Sequence, residues 1–110
     1  DNSVVLRVTH GDHTFLLGGD CTADCEDDFQ PGSIDVYKVH HHGSSDSSSY
    51  SFVQQMDPEI ALIPAGRDNP YGHPHNQIVQ RLENIGARIY RTDLAGDVVV
   101  RSSNNALTVE

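Results

Sequence analysis

Positive charge is scarce in this sequence. Lys38 is its only lysine, and 7 Lys and Arg face 16 Asp and Glu, for a formal net charge of -9. Sequence-independent nucleic-acid binding rests on basic side chains that neutralise phosphates, so this balance argues against a broad DNA-binding face on the segment. A phosphate substrate stays open, because a bound divalent metal supplies local positive charge. Long apolar runs are missing too, and nothing approaches the ~18 consecutive apolar residues of a membrane span. No signal peptide is visible. The opening Asp1-Asn2-Ser3, without an initiator Met, reads as a cut inside a larger protein, so that absence says nothing of the parent's location. Cysteine is confined to Cys21 and Cys25. Four apart, they would share one face of a helix, and helical backbone fits a disulfide poorly, so a free pair is expected. One CxxxC defines neither a redox motif nor a compartment.

What is present amounts to one domain or a piece of one. The 110 residues are 36% hydrophobic and 21% charged, enough for a modest core. Ser3–Thr9 and Thr14–Gly19 read as strands joined by a turn at His10-Gly11-Asp12-His13. Thr22–Phe29 offers a short helix, ended by Pro31-Gly32. Ile34–Val39 alternates as a strand, and Ser48–Met56 spaces Phe52, Val53 and Met56 as a helix behind serine caps. Glu59–Pro64 is a buried strand and Gly66–His75 a loop rich in Gly, Asn and Pro. His75–Ile85 places Ile78, Val79, Leu82 and Ile85 on one helical face, with Gly86 as the stop. Ala87–Tyr90, Asp97–Arg101 and Ala106–Val109 close the chain as strands. The order is β-β-α-β-α-β-α-β-β-β, an α/β arrangement without internal repeat. Its polar punctuation falls just after strands, where strand ends at one sheet edge converge on a site.

The stretch DVYKVHHHGSSDSSS, residues 35–49, carries three adjacent histidines. A purification tag sits at a chain end, whereas this run is internal and follows a strand. On the triplet alone, an accidental surface turn and a metal site both stay open. Imidazole beside carboxylate is a ligand set suited to Zn, Mn or Fe. On an extended segment His41 and His42 would point opposite ways, so one would ligate while the other met substrate or gave a proton. Asp20 ends the run LLGGD, whose glycines leave backbone room for an ion, though by itself Asp20 reads more readily as a helix N-cap. His73, in NPYGHP, suits a proton donor to a leaving group or phosphate, and equally a structural histidine bonded to loop carbonyls. His10, His13, His40 and His75 read as surface or capping residues.

Together these stretches resemble one family. LLGGD, KVHHHGSSDSS, AGRDNPYGHP and RTDLAGDV, with Asn2-Ser3-Val4-Val5-Leu6 ahead of them, look like the C-terminal half of the metallo-β-lactamase-like domain of ComEC-type competence (DNA-uptake) proteins. The resemblance runs over nearly the whole chain, and HHGS and N-x-x-G-H-P are its specific elements. It implies the second half of an αββα sandwich, with residues 1–110 as the C-terminal portion of a hydrolase domain. It implies two divalent metal ions, Zn or Mn, in the full domain, and a phosphodiesterase or nuclease acting on DNA outside the cytoplasm. Carried over by position, Asp20 matches an aspartate that bridges two metals, and His41 or His42 a histidine that closes the second metal's shell. Ser44 and His73 lie in motifs at the active-site mouth. Asn69 fixes the loop or meets substrate beside His42, and Arg91, Thr92 and Asp93 hold the closing turn.

The departure is large. The family's H-x-H-x-D-H cluster and its third-motif histidine are absent from these residues, so the chain is expected to hold half an active site and to bind metal weakly. Its expected partners are the missing N-terminal half, DNA or another phosphodiester, and a second copy of itself in a homodimer. The alternatives are a catalytically silent interaction module and a phosphodiesterase acting on a small or cell-wall ester.

Overall fold

The computed structural model describes residues 4–103 and 106–110; Asn2 and Ser3, which the resemblance and the first expected strand include, lie outside them. The elements are β1 (Leu6–His10), β2 (His13–Leu17), α1 (Ala23–Glu26), β3 (Val36–Lys38), α2 (Tyr50–Met56) and β4 (Ile60–Ile63). They continue with α3 (Asn76–Asn84), β5 (Arg88–Arg91), α4 (Thr92–Ala95), β6 (Val100–Ser102) and β7 (Leu107–Val109). The expected order holds, with a short 3-10 turn at His40–Gly43 and one helical turn after β5 added. The helix after Asp20 is shorter than expected.

Strands β1 to β5 form one sheet in sequence order, and β6 pairs with β7 in a second, two-stranded sheet. The β1–β2 hairpin is antiparallel, while β2 to β5 run parallel. Each parallel step advances in the same direction, and right-handed crossovers then place every connecting helix on one face. Packing agrees. The core joins Leu16, Tyr37, Ala61 and Ile63 of the sheet to Phe52, Val53 and Met56 of α2 and to Ile78 and Leu82 of α3. Among the described residues this is a mixed α/β fold with helices on one side of its main sheet.

The opposite face follows from the strand period of two. Register aligns Leu6, Leu17, Lys38, Leu62 and Tyr90 in one row and Val8, Phe15, Val36, Ile60 and Arg88 in the next. Val36 and Ile60 at its centre are buried, whereas Leu6 and Val8 on β1 are exposed. A mostly apolar sheet face left half open, interrupted by Lys38, marks a contact surface.

The parallel strands all end on one edge. Gly18-Gly19-Asp20 follows β2, the histidine triplet follows β3, the Ala65–His75 loop follows β4, and Thr92 follows β5. The last of these turns is tied down as expected. The Thr92 hydroxyl accepts from the Ala65 amide and reaches the Ala65 carbonyl, each at 2.9 Å. Arg91 donates to both carboxylate oxygens of Asp93, at 3.0 and 2.7 Å. That hydrogen bond holds the Asp93 carboxyl below its ordinary range against the opposing effect of burial. A depressed folded-state pKa stabilises above the unfolded value, and the gain disappears as pH falls through the folded one. Asp93→Asn is therefore expected to cost up to about 1 kcal/mol at neutral pH. In urea titrations the gap from the parent chain should close as pH falls below the usual carboxylate value of about 3.9.

Candidate functional site

The histidine triplet does not continue β3. His41 (φ 50°, ψ 45°) and His42 (φ 54°, ψ 25°) both lie in the left-handed region. For residues with a Cβ this conformation costs roughly 1–2 kcal/mol each. The surrounding backbone compensates: His41 N donates to Gly19 O at 2.7 Å, Ser44 N to His41 O at 2.9 Å, and His75 N to Gly43 O at 2.9 Å. The expectation that the two rings point apart assumed extended backbone, and it is overturned here. Their centroids lie 6.3 Å apart, and both rings line one cleft of about 320 Å³ with Asp20, Tyr71 and His73.

Hydrogen bonds fix the tautomers. His42 Nδ1 lies 2.7 Å from the carbonyl oxygen of Pro64, which only accepts, so Nδ1 carries the proton. His41 Nδ1 likewise meets the Asp46 carboxylate at 2.9 Å. Burial opposes ionisation of Asp46, but hydrogen bonds with His41, Ser44 and Ser47 outweigh it and hold its carboxyl below the ordinary range. Anchoring Nδ1 on a carboxylate or carbonyl leaves Nε2 with a free lone pair, which is how metal-binding histidines are oriented. Neither Nε2 has a hydrogen-bond partner among the described residues.

His40 is not the surface residue its place in the triplet suggested. It is fully buried, with Nδ1 2.8 Å from Oε2 of Glu26, itself buried. Glu26 also accepts from the Ser48 amide at 2.6 Å and the Ser49 amide at 2.9 Å, just ahead of α2. The left-handed turn that brings His41 and His42 together thus turns His40 inward, onto Phe52 and Tyr37. Burial pushes the Tyr37 phenol up, and the phenol bonds Ser48 Oγ at 2.6 Å. The room left by Gly18 belongs to His40. A Cβ at Gly18 would stand 2.0 Å from His40 Nε2, so this glycine serves packing rather than an ion.

Asp20 is not a helix cap, because α1 starts later and its N-cap is Thr22. Cys21 and Cys25 form a disulfide with Cα atoms 5.4 Å apart, against the expected free pair. The objection from helical geometry does not apply, since Cys21 precedes the helix and its amide bonds Gly18 O in a turn.

The Gly66–His75 loop closes the site. Asn69 spends its side chain on this loop: Nδ2 donates to Gly66 O and His73 O, at 2.9 and 2.7 Å. Oδ1 accepts from the Tyr71 and His73 amides, at 3.2 and 2.9 Å. The loop-fixing role follows directly. His75 occupies the N-cap position of α3 without a side-chain capping bond, and its Nδ1 instead accepts from the Ser45 amide at 2.8 Å. His73 stacks on His42 with centroids 6.0 Å apart and planes 16° apart. Desolvation, then the charges of His75, His41 and His42, push its pKa down against a smaller upward pull from Asp46. Ser44 is buried, and its Oγ accepts from the Asp46 amide at 3.4 Å. His10 and His13 lie elsewhere, each with Nδ1 2.9 Å from the Ser102 hydroxyl.

The donor chemistry at this edge, one carboxylate and imidazoles with anchored Nδ1, suits Zn or Mn. Yet among the described residues no three such donors converge to hold an ion.

Fold and site define a mixed α/β segment that gathers its chemistry at the C-terminal edge of a parallel sheet. No family model matches the chain. It is 37% identical to ComE operon protein 3 of Bacillus subtilis, with 98% of this chain aligned. It is 35% identical to Recombination protein 2 of Haemophilus influenzae, with 99% aligned. It is also 35% identical to Competence protein ComA of Neisseria gonorrhoeae, with 86% aligned. The chain is homologous to one segment of these proteins, and it spans only 14% of each.

Sequence reasoning missed Glu26, Asp46 and Tyr71. Glu26 and Asp46 sit in polar runs where nothing in the spacing singles them out. Tyr71 lies inside the NPYGHP motif, but only the fold shows what its ring stacks against.

Proposed function

We propose that this chain forms one wall of the active site of a metal-dependent phosphodiesterase that cleaves DNA during uptake. The observation that carries the reading is the pair of left-handed histidines with anchored Nδ1, set beside Asp20 and His73 in one cleft. Strain of this kind persists only where its surroundings enforce it, and it gathers at functional sites. In the full protein Asp20 would give its carboxylate, and His41 and His42 their Nε2 atoms, to divalent metal. Bound metal would supply an activated water and charge for the phosphate oxygens. His73 stands ready to hold a phosphate oxygen or to pass a proton to the leaving oxygen. Asn69 keeps its loop in place.

The competence proteins among the relatives support the DNA reading, and action outside the cytoplasm is part of the proposal through the family resemblance alone. The half-open sheet face of Leu6, Val8, Phe15, Leu17 and Leu62 would be covered by a second sheet from the rest of the protein, completing an αββα sandwich. No helix among the described residues is long and apolar enough to cross a membrane.

The test uses the longer protein that contains this segment, supplied with Zn or Mn. Cleavage of DNA is expected, falling by about ten-fold or more in Asp20→Ala while circular dichroism stays unchanged. Hydrolysis of a small phosphodiester with DNA left intact would move the substrate to the small-ester class. Failure on both substrates by a metal-loaded protein would sink the enzymatic reading.

A further inference from the structure

The rings of His42, His73 and Tyr71 form one stack. His73 lies nearly parallel to His42, and Tyr71 packs on His73 with centroids 5.6 Å apart and planes 25° apart. Tyr71 ends the stack and is 73% exposed. It borders the 320 Å³ cleft with Asp20 and His41, and also a second cleft of about 200 Å³ lined by His42, Ala65, Gly66, Asn69 and His73.

An exposed tyrosine on a loop is commonly mobile, but this one is held. Its amide donates to Asn69 Oδ1 at 3.2 Å, and its carbonyl oxygen accepts from His75 Nε2 at 3.3 Å. Those bonds fix the backbone and the ring itself lies against His73, so a ligand that covers it costs little further freedom. We propose that the outer face of Tyr71 is a stacking platform for an unpaired nucleobase of a strand whose phosphate lies in the cleft beside Asp20, His41 and His42. This rests on the DNA reading above and narrows it to single strands. In a duplex the bases already stack on one another, so the platform selects an extruded or unpaired base.

Charge strengthens the inference. With a net charge of -9 and 7 Lys and Arg, the chain draws little affinity from phosphate contacts. Stacking is tolerant of base identity and independent of charge, so it supplies what electrostatics does not.

The test compares a short labelled oligothymidine with an abasic deoxyribose-phosphate oligomer of equal length, by fluorescence anisotropy at low salt. Three forms of the 110-residue chain are used: the parent, Tyr71→Ala and Tyr71→Trp. The parent is expected to bind oligothymidine about five- to 150-fold more tightly than the abasic strand. Tyr71→Ala should lose that ratio and Tyr71→Trp should keep it. The chain has no other tryptophan, so quenching of the new indole by oligothymidine reports stacking directly. Equal binding of both strands by the parent chain would overturn the platform and leave the DNA reading standing. Binding of neither strand by this chain would overturn the platform, while the DNA reading is decided separately by cleavage in the longer metal-loaded protein. A change of sedimentation in Tyr71→Ala with unchanged oligothymidine binding would assign the ring to protein contact, which also overturns the proposal.

Discussion

Glu26→Ala is expected to unfold this chain more readily than any substitution within the cleft itself. Glu26 accepts hydrogen bonds from His40 Nδ1 and from the Ser48 and Ser49 amides, and both its carboxylate and the His40 ring are buried. Removing it strands those donors where little water reaches them. Breaking a buried pair by deleting one partner costs about 3–5 kcal/mol. A domain of this size has roughly 5–15 kcal/mol in all. The midpoint of urea unfolding should fall sharply with the slope unchanged, which marks a loss of stability rather than of cooperativity. Glu26→Gln keeps an acceptor and should cost less. Glu26→Ala with His40→Phe removes both members of the pair, and should recover part of the loss because no imidazole is left unpaired. A Glu26→Ala chain within about 0.5 kcal/mol of the parent would show that the carboxylate carries no such duty.

Gly43→Ala carries the second large effect, and it strikes where two motifs meet. Gly43 has φ +80°, a region L side chains rarely adopt. An added Cβ would stand 2.5 Å from Pro74 Cβ and 3.0 Å from Pro74 Cα. Backbone strain contributes roughly 1–3 kcal/mol and the forced shift a similar amount. More telling than the total is where the damage falls. Gly43 O accepts from the His75 amide and so docks the His73 loop on the histidine turn. Exchange of the His75 and Ser45 amides should quicken well beyond that of β3 and β4 amides, read by hydrogen exchange. Uniform acceleration across the chain would instead mean global destabilisation without local undocking. Gly72, with φ +70° but open space where a Cβ would stand, provides the comparison: strain without collision.

The chain's order of elements was legible from local pattern. Short apolar runs gave β2 and β4 and alternation gave β3, each to within a few residues, and the Ile78, Val79, Leu82 and Ile85 spacing gave α3, because these signals depend on neighbours in sequence. The motif residues Asp20, His41, His42 and His73 were also legible as candidates. Their meeting in one cleft was not, because β2 to β5 had to pair in parallel before their ends shared an edge. The disulfide and the inward turn of His40 were misjudged for the same reason. Each depends on where a backbone leaves regular structure: Cys21 before α1 begins, and His41 and His42 in left-handed turns after β3 ends. Sequence by itself determined the order of the strands and of helices α1 to α3, and the residue types available for chemistry. Tertiary structure alone decided which histidine faces the core, which two face the cleft, and that Tyr71 ends a stack of rings, since those outcomes rest on contacts between residues up to tens of positions apart.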